Sequence, residues 1–307
     1  NFNGMNMGMP ATNSGRVDIF EVQPDDSWAH VHVIEPPEVI TERRFGRPLK
    51  FHDGNLYVGA PATGGGYVAV YARAQNGDWG LVQTVTSPIG NDAVRFGYAL
   101  DVRGQTLLVG ASARQNPAEQ GGHVFAFRRS GAGAMWAHDG EVYRAFDDQG
   151  LDDVMIGDEF GSDVAIVRVE GGAFPIEAFV IAAPGRGRTY YIIPPQGMNA
   201  MSSKGIVTDT RQHTFLTTCG GRFVAGAGGH DGGRGIIDIH KLSVMMDGSI
   251  GVISEESISP LGTGNDNGGD RFGGAIACWG SGIATSAVYR AVDGRSAVGE
   301  VFYIDID

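Results

Sequence analysis

The sequence has little cysteine, no long run of basic residues and no long apolar run. Only two of its 307 residues are cysteines, which excludes a disulfide-rich scaffold. No run approaches the ~20 consecutive apolar residues that a membrane-spanning helix needs. The 23 Lys and Arg residues are outnumbered by 35 Asp and Glu residues, and the net charge is −12. We therefore expect a globular chain with no membrane span and no nucleic-acid partner.

Glycine is the residue present in excess. The chain contains 49 glycines, roughly double the usual share of about 7%, and they do not recur at every third position as in collagen. This abundance indicates many tight turns between short strands. Hydrophobic residues make up 42% of the sequence, so the chain can bury a core.

One strand-rich unit is repeated along the chain. Its clearest copy, residues 96–127, contains a Phe-Gly pair, two apolar strands joined by a tight turn, a corner of small residues and a third strand. The Phe-Gly pair recurs at positions 45, 96, 160 and 272, and six small-residue corners can be aligned. Most copies continue into a fourth candidate strand. A repeated four-stranded unit of about 40 to 60 residues without helical periodicity is typical of a β-propeller.

These repeats predict an all-β chain that forms a β-propeller of four-stranded blades. Six blades are visible in the sequence, and seven is the alternative. We expect one domain over residues 1–307, with blades at about 1–40, 41–91, 92–155, 156–208, 209–267 and 268–307. The first copy begins at its second strand and the last stops after its third, so the terminal blades are expected to be incomplete, with further chain before Asn1.

The unit over residues 81–136, with its Phe96-Gly97 pair and its small-residue corner at 109–112, resembles the FG-GAP repeat family. The integrin alpha-subunit head is the best-known relative in that family. The resemblance implies a β-propeller, usually of seven blades, that serves as a secreted or surface module and binds proteins or glycans.

Many FG-GAP repeats carry an Asp-x-Asp-x-Asp-Gly calcium loop between their first two strands. The corresponding turns in this chain supply at most one carboxylate each, at residues 52–55, 102–105, 219–221 and 279–281. Calcium needs six to eight oxygen ligands, so that calcium site is not expected at these turns. We expect no required cofactor.

Acidic loops precede three of the Phe-Gly pairs and could still hold a calcium ion elsewhere. One loop contains Asp92, the second contains Asp152, Asp153 and Asp158, and the third contains Asp266 and Asp270. The candidate metal ligands are Asp152, Asp158, Asp266 and Asp270. The alternative is that these Asp side chains simply cap tight turns.

The fifth copy departs most from the others. Gln212-His213 replaces its Phe-Gly pair, and His230-Asp231 follows its corner. We therefore select His213, His230 and Asp231 as binding-loop candidates. A catalytic role would also need a nucleophile that the sequence does not identify, so no catalytic residue is assigned.

Two other pairs of residues leave alternatives open. His30 and His32 lie on one face of a predicted strand, and without a third ligand they indicate a surface pair rather than a metal site. Cys219 and Cys278 fall at nearly the same place in successive repeats. A disulfide forms if their Cα atoms lie within about 7 Å, and the alternative is two buried thiols.

Together these features predict an extracellular or cell-surface module for binding, adhesion or assembly. Its partners would be a protein, a glycan or neighbouring subunits. One alternative is a polysaccharide-active enzyme, a lyase or hydrolase, built on the same scaffold. Another is a structural subunit of a larger extracellular assembly. Clustered Arg, His, Tyr and carboxylate side chains at the channel mouth would favour the enzyme, and the sequence by itself favours the binding module.

Overall fold

The computed structural model describes residues 4–6, 9–11, 13–38, 44–62, 65–90, 95–112, 121–147, 149–171, 176–195, 203–208, 211–259, 269–289 and 299–306. The chain divides into two compact units, Asn1–Tyr143 and Arg144–Asp307, and each is described by itself. Both units consist mainly of short antiparallel strands.

The first unit contains two small and two larger sheets. Strands β1 (Gly4–Asn6) and β2 (Met9–Ala11) form one pair, and β3 (Val17–Val22) and β4 (Trp28–Ile34) form another. The first four-stranded sheet comprises β5 (Leu49–His52), β6 (Asn55–Ala60), β7 (Tyr67–Arg73) and β8 (Trp79–Thr86). The second comprises β9 (Phe96–Arg103), β10 (Thr106–Ala111), β11 (His123–Arg128) and β12 (Ala137–Tyr143).

The second unit contains two four-stranded sheets and one three-stranded sheet. The first comprises β13 (Asp163–Val169), β14 (Ile176–Ala183), β15 (Arg188–Ile193) and β16 (Ser203–Thr208). The second comprises β17 (Phe215–Cys219), β18 (Arg222–Ala227), β19 (Ile236–Val244) and β20 (Ile250–Ile258). The third comprises β21 (Phe272–Trp279), β22 (Gly282–Ala287) and β23 (Glu300–Asp305), and a helical turn, α1 (His230–Gly233), precedes β19.

Every four-stranded sheet is a meander in which strands adjacent in sequence pair antiparallel. The third strand that the repeats predict after each small-residue corner is present as β7, β11 and β15 in three of the copies. The prediction of an all-β chain built from four-stranded propeller blades is confirmed for these four sheets. A count of six blades is not confirmed, and the single-domain assignment stays a prediction.

Neighbouring sheets within each unit meet at the Phe-Gly corners. The side chains of Phe45 and Phe96 are almost completely buried, and the Phe45 N–H donates to the Ser14 carbonyl at 3.0 Å. A Cβ on Gly15 would lie 2.0 Å from the Phe45 carbonyl oxygen, and one on Gly66 would lie 1.9 Å from that of Phe96. Only glycine therefore allows the two backbones to approach so closely.

Cys219 and Cys278 form a disulfide, with their Cα atoms 5.6 Å apart. The bridge joins β17 to β21 and therefore links two successive sheets of the second unit. Of the two alternatives that the sequence left open, the structure shows the disulfide.

His240, in β19, is a titratable group inside the core of the second unit. Its side chain is 6% exposed, its ring centroid lies 5.1 Å from that of Phe223, and its Nδ1 lies 3.0 Å from Ser254 Oγ. Burial lowers the pKa of His240 to about 4, although Asp238 and Glu255 act in the opposite direction. The folded protein therefore holds this imidazole neutral at pH values where an unfolded chain protonates it.

Replacement of Gly66 by alanine tests the close approach at the corner. We expect Gly66→Ala to lower the free energy of unfolding by about 1 to 3 kcal/mol, because the new Cβ would overlap the Phe96 carbonyl oxygen. Gly80→Ala is the matched control, since a Cβ there meets no atom within 4 Å. Urea unfolding measures both variants, and equal midpoints would show that the corner tolerates a side chain.

Because His240 is buried, we expect the free energy of unfolding to fall as the pH is lowered. Its pKa is depressed in the folded state, so the unfolded chain binds more protons between about pH 6.5 and about pH 4. Between about pH 7.5 and about pH 5 we expect a loss of about 2 kcal/mol in the free energy of unfolding. In His240→Leu this part of the pH dependence should disappear. Urea unfolding at several pH values measures the slope, and an unchanged slope in the variant would contradict the assignment.

Candidate functional site

A cavity of about 780 Å³ lies at the first Phe-Gly corner of the first unit. Among the described residues that line it, three are arginines and one is an aspartate. Its lining residues are Asn13, Gly15, Arg16, Asp18, Arg44, Phe45, Gly46 and Arg47. We call it the arginine pocket.

The corner itself brings the two lining segments together. The Arg44 N–H donates to the Asn13 carbonyl at 2.9 Å, beside the hydrogen bond that holds Phe45. Both Asn13 and Arg44 have left-handed backbones, with φ of 54° and 51°. Residues 13–18 and 44–47 therefore face one cavity because the sheet-to-sheet contact fixes their backbones.

Asp18, on β3, connects an arginine and a histidine. Its Oδ2 accepts a hydrogen bond from Arg16 Nε at 2.9 Å, and its Oδ1 lies 3.1 Å from His30 Nε2 on the paired strand β4. An ionised carboxylate only accepts, so a neutral His30 donates from Nε2 and keeps its lone pair on Nδ1. An imidazole oriented by an aspartate is an arrangement suited to a general base.

The two histidines of β4 differ in their contacts. The register of β3 and β4 shifts between Ile19 and Phe20, which interrupts the alternation that placed His30 and His32 on one face. Within the described part of the chain, only His30 of this pair has a hydrogen-bond partner among the side chains. The structure therefore assigns His30 to Asp18 rather than to a two-histidine metal site.

An aromatic ring and a fourth arginine lie next to the pocket. The Arg47 guanidinium carbon is 5.5 Å from the centroid of the Tyr98 ring, and that of Arg95 is 5.9 Å from the same centroid. Arg95 directly precedes its Phe-Gly pair, as Arg44 does, and it has the same left-handed backbone with φ of 60°. Arginine, histidine, tyrosine and carboxylate groups thus gather in one region of the first unit, which is the combination that favours an enzyme.

None of the residues that line this pocket was predicted from the sequence as a site residue. Arg16 and Asp18 belong to one repeat and Arg44 and Arg47 to the next, so no local spacing connects them. One sequence signal was present, because arginine stands directly before the Phe-Gly pair at Arg44, Arg95 and Arg271.

His213 lies at a buried corner in the second unit, where other copies carry the Phe-Gly pair. Its Nε2 is 2.8 Å from Asp238 Oδ2, and its Nδ1 is 2.9 Å from Thr189 Oγ1. Asp238 Oδ1 also accepts from Ser257 Oγ at 2.5 Å and from Arg211. Burial by itself would raise the pKa of Asp238, but the hydrogen bonds from His213, Arg211 and Ser257 hold it well below its usual range.

This network has the connectivity of a hydroxyl–imidazole–carboxylate triad but not its accessibility. Thr189, His213 and Asp238 are at most 1% exposed, so a substrate cannot reach the hydroxyl group. Thr189 belongs to β15 and Asp238 to β19. The network therefore joins two neighbouring sheets, and the structure places His213 in the core rather than on a binding loop.

His230 and Asp231 lie in the short turn α1 at the surface. Asp231 has a left-handed backbone with φ of 48° and lies 3.3 Å from Arg234 Nη1. Among the described residues, no hydrogen bond or ion pair joins either of them to His213. Binding through this turn stays a prediction.

In the second acidic loop, Asp153 and Asp158 lie close to the arginine side chain of Arg186. Asp158 is 3% exposed and accepts from the Met155 N–H at 2.8 Å, and burial raises its pKa. Arg186 lies 2.7 Å from Asp153 Oδ2 and 3.7 Å from Asp158 Oδ2. The guanidinium thus supplies a positive charge to this carboxylate pair.

The other metal candidates are not brought into one cluster by the described residues. Asp152 forms an isolated backbone bridge with Phe146, and the Asp270 carbonyl accepts from the Tyr289 N–H at 3.2 Å. Asp92 and Asp266 lie outside the described residues. No group of three or more His, Cys, Asp or Glu side chains suited to a metal occurs within the described ranges, and calcium stays a prediction.

No protein-family model and no curated protein sequence matches this chain. Solved structures are similar to it, and two of them illustrate the likeness. The crystal structure of a putative 6-phosphogluconolactonase from Bacteroides fragilis has 11% sequence identity and a TM-score of 0.51, over 97% of this chain and 79% of that one. A protein from Lactobacillus plantarum has 12% identity and a TM-score of 0.46, over 93% of this chain and 81% of that one.

The Bacteroides fragilis structure shows the fold class alone, a β-propeller, because its sequence identity is low. Neither comparison tests the resemblance to FG-GAP repeats. Within the described residues, none of the helices has the length and apolar character required to cross a bilayer.

The main functional prediction from the sequence is contradicted. We expected an extracellular binding, adhesion or assembly module, but the structure that supports the fold is named for an enzymatic activity. The finding agrees better with the alternative that we kept, an enzyme on a propeller scaffold. Arg, His, Tyr and carboxylate groups gather in and beside the arginine pocket, at a Phe-Gly corner, whereas the condition set for that alternative named the channel mouth.

Proposed function

We propose that this chain is a carbohydrate-active enzyme, a hydrolase that cleaves a sugar-derived ester or lactone at the arginine pocket. The observation that carries the proposal is the position of Asp18, which lines the cavity with three arginines and orients His30. The name of the Bacteroides fragilis protein, a putative lactonase, supports the choice of an ester bond.

The arginine pocket, together with His30, which is hydrogen-bonded to the lining residue Asp18, supplies the groups that ester hydrolysis needs. His30 Nδ1 would accept a proton from water as the oxygen attacks the carbonyl carbon, and Asp18 would stabilise the resulting imidazolium. The electron pair moves to the carbonyl oxygen, where the guanidinium groups of Arg44 and Arg47 stabilise the negative charge. Collapse of the intermediate breaks the carbon–oxygen bond to the leaving alkoxide, which takes the proton back from His30.

We also propose the finer features of the fold. The sheets β3–β4, β5–β8, β9–β12, β13–β16, β17–β20 and β21–β23 fall one by one in the six predicted blade ranges, which supports six blades. Burial of the corner residues Phe45, Phe96, Phe160 and Phe272 supports a relationship to FG-GAP repeats.

Disulfides persist in oxidising compartments and are rare in reducing ones. The bridge between Cys219 and Cys278 therefore supports the proposal that the enzyme works outside the cell or at its surface.

Asp18→Asn tests the catalytic assignment. Asparagine no longer fixes the His30 tautomer or stabilises the imidazolium, so we expect kcat for hydrolysis to fall by about a hundredfold or more. Proton release from a panel of sugar lactones and sugar esters measures the rate. Asp78→Asn is the matched control, because Asp78 lies in a hairpin turn of the same unit and contacts Asn76.

Equal rates in wild type and Asp18→Asn, with intact folding, would contradict the assignment of Asp18. A polyuronate chain belongs in the same panel. Formation of an unsaturated uronate instead of a hydrolysed product would identify a lyase and overturn the hydrolase proposal.

The disulfide gives a separate test of the compartment. Cys219 and Cys278 are 59 residues apart, so the double variant Cys219→Ala/Cys278→Ala should lose about 2 to 4 kcal/mol in the free energy of unfolding. Reductant should destabilise the wild type by a similar amount and leave the variant unchanged. Protein purified from its natural source without reductant should show no free thiol after unfolding, and two titratable thiols would contradict an oxidising compartment.

A further inference from the structure

We infer that Asn76 is a modification site, where spontaneous loss of the side-chain amide gives aspartate or isoaspartate and opens the loop between β7 and β8. Asparagine is one of the thermolabile residues of proteins, and the next residue decides how fast it reacts. Asn-Gly occurs at residues 3–4, 76–77 and 267–268, of which only 76–77 lies wholly within the described ranges. Asn76 is exposed, and Gly77 has no side chain to shield its main-chain nitrogen. This inference does not depend on the proposed function.

The reaction needs water and no other co-reactant. The Gly77 main-chain nitrogen attacks the Asn76 Cγ carbon, and the side-chain nitrogen leaves as ammonia with the proton that Gly77 gives up. Water then opens the resulting succinimide ring at one of its two carbonyl carbons. Opening at the side-chain carbonyl gives aspartate, whereas opening at the main-chain carbonyl gives isoaspartate.

Three hairpin loops of this chain have the same hydrogen-bond pattern, and they indicate what the Asn76 amide does. In each loop the fourth residue donates its N–H to the carbonyl of the first, at 3.0 Å. The fifth residue donates its N–H to the side chain of the third, at 2.9 to 3.1 Å. The three loops are residues 23–27, 74–78 and 245–249.

The side chains of the third and fifth residues differ among these loops. In 23–27 and 245–249 an aspartate accepts from a serine hydroxyl group at 2.6 Å. In 74–78 the roles are exchanged, because Asn76 Nδ2 donates to Asp78 Oδ2 at 2.7 Å. A carboxylate only accepts, so aspartate at position 76 would face Asp78 without a hydrogen to donate and with a like charge. Isoaspartate also lengthens the main chain by one carbon, so neither product fits the closed loop.

The closed loop also slows the reaction. The Gly77 N–H donates to the Ala74 carbonyl at 3.0 Å, and Asp78 holds both polar atoms of the Asn76 side chain. The attacking nitrogen and the amide therefore have other partners until the loop opens. Opening also frees Arg73, whose Nε donates to the Gly77 carbonyl at 3.3 Å and whose guanidinium pairs with Glu21 of β3.

Mass spectrometry of the whole protein, incubated at mildly alkaline pH and then digested, measures the reaction. We expect the peptide that contains Asn76 to deamidate faster than the peptide that contains Asn55, because the side chain of Leu56 shields the next nitrogen. A synthetic peptide of residues 71–81 should react about threefold or more faster than the folded protein, since it has no closed loop. Equal rates at Asn76 and Asn55 would overturn the modification site, and equal rates in peptide and protein would overturn the protection by the loop.

Asn76→Asp tests the consequence of the modification. We expect hydrogen exchange of the Gly77 and Asp78 amides to become about threefold or more faster. Asn76→Asp/Asp78→Ser should restore slow exchange, because the loop then carries the aspartate and serine of the other two loops. Asp247→Asn is the matched control and should leave its own loop unchanged, since asparagine still accepts from Ser249.

Exchange in the rest of the chain verifies that each variant folds. Unchanged exchange in Asn76→Asp, or equally fast exchange in the double variant, would overturn the inference that loss of the amide opens the loop.

Discussion

The contact between a glycine of one sheet and the buried phenylalanine that begins the next sheet governs this structure. At Gly15 and Gly66 a Cβ would lie within about 2 Å of the phenylalanine carbonyl oxygen, so the backbones touch where side chains would normally separate them. The phenylalanine ring then packs into the core between the sheets. The Phe-Gly pair and the small-residue corner recur together because each supplies one side of this contact.

The same contact also determines where charged side chains lie. Since the phenylalanine is fixed, the residue before it adopts a left-handed backbone at the edge of the sheet, as at Arg44, Arg95 and Arg271. In the first unit, Arg16 and Asp18 follow Gly15, the glycine of this contact. The arginine pocket is therefore built at a contact that the chain repeats.

Arginine also appears where the FG-GAP resemblance would place calcium. The turn between β5 and β6 carries a single acid, Asp53, which lies 2.9 Å from Arg129 Nη2. The same guanidinium group donates to the Gly104 carbonyl at 3.2 Å and packs over Trp136. The one acid of this turn is therefore paired with an arginine. Whether the chain shares ancestry with those repeats is a separate question.

The sequence predicted the strands well because alternation and glycine turns are local signals. The three strands predicted within residues 96–127 are β9, β10 and β11. The pocket was missed because its residues come from two repeats that only the corner brings together. His213 shows a different limit. The replacement of the Phe-Gly pair by Gln212-His213 was visible in the sequence, but the partners of His213, Thr189 and Asp238, lie about 25 residues away on two strands. A hydroxyl, an imidazole and a carboxylate have the same connectivity in an active site and in a core. Only the exposure of the hydroxyl group separates the two cases, and exposure is a property of the folded chain.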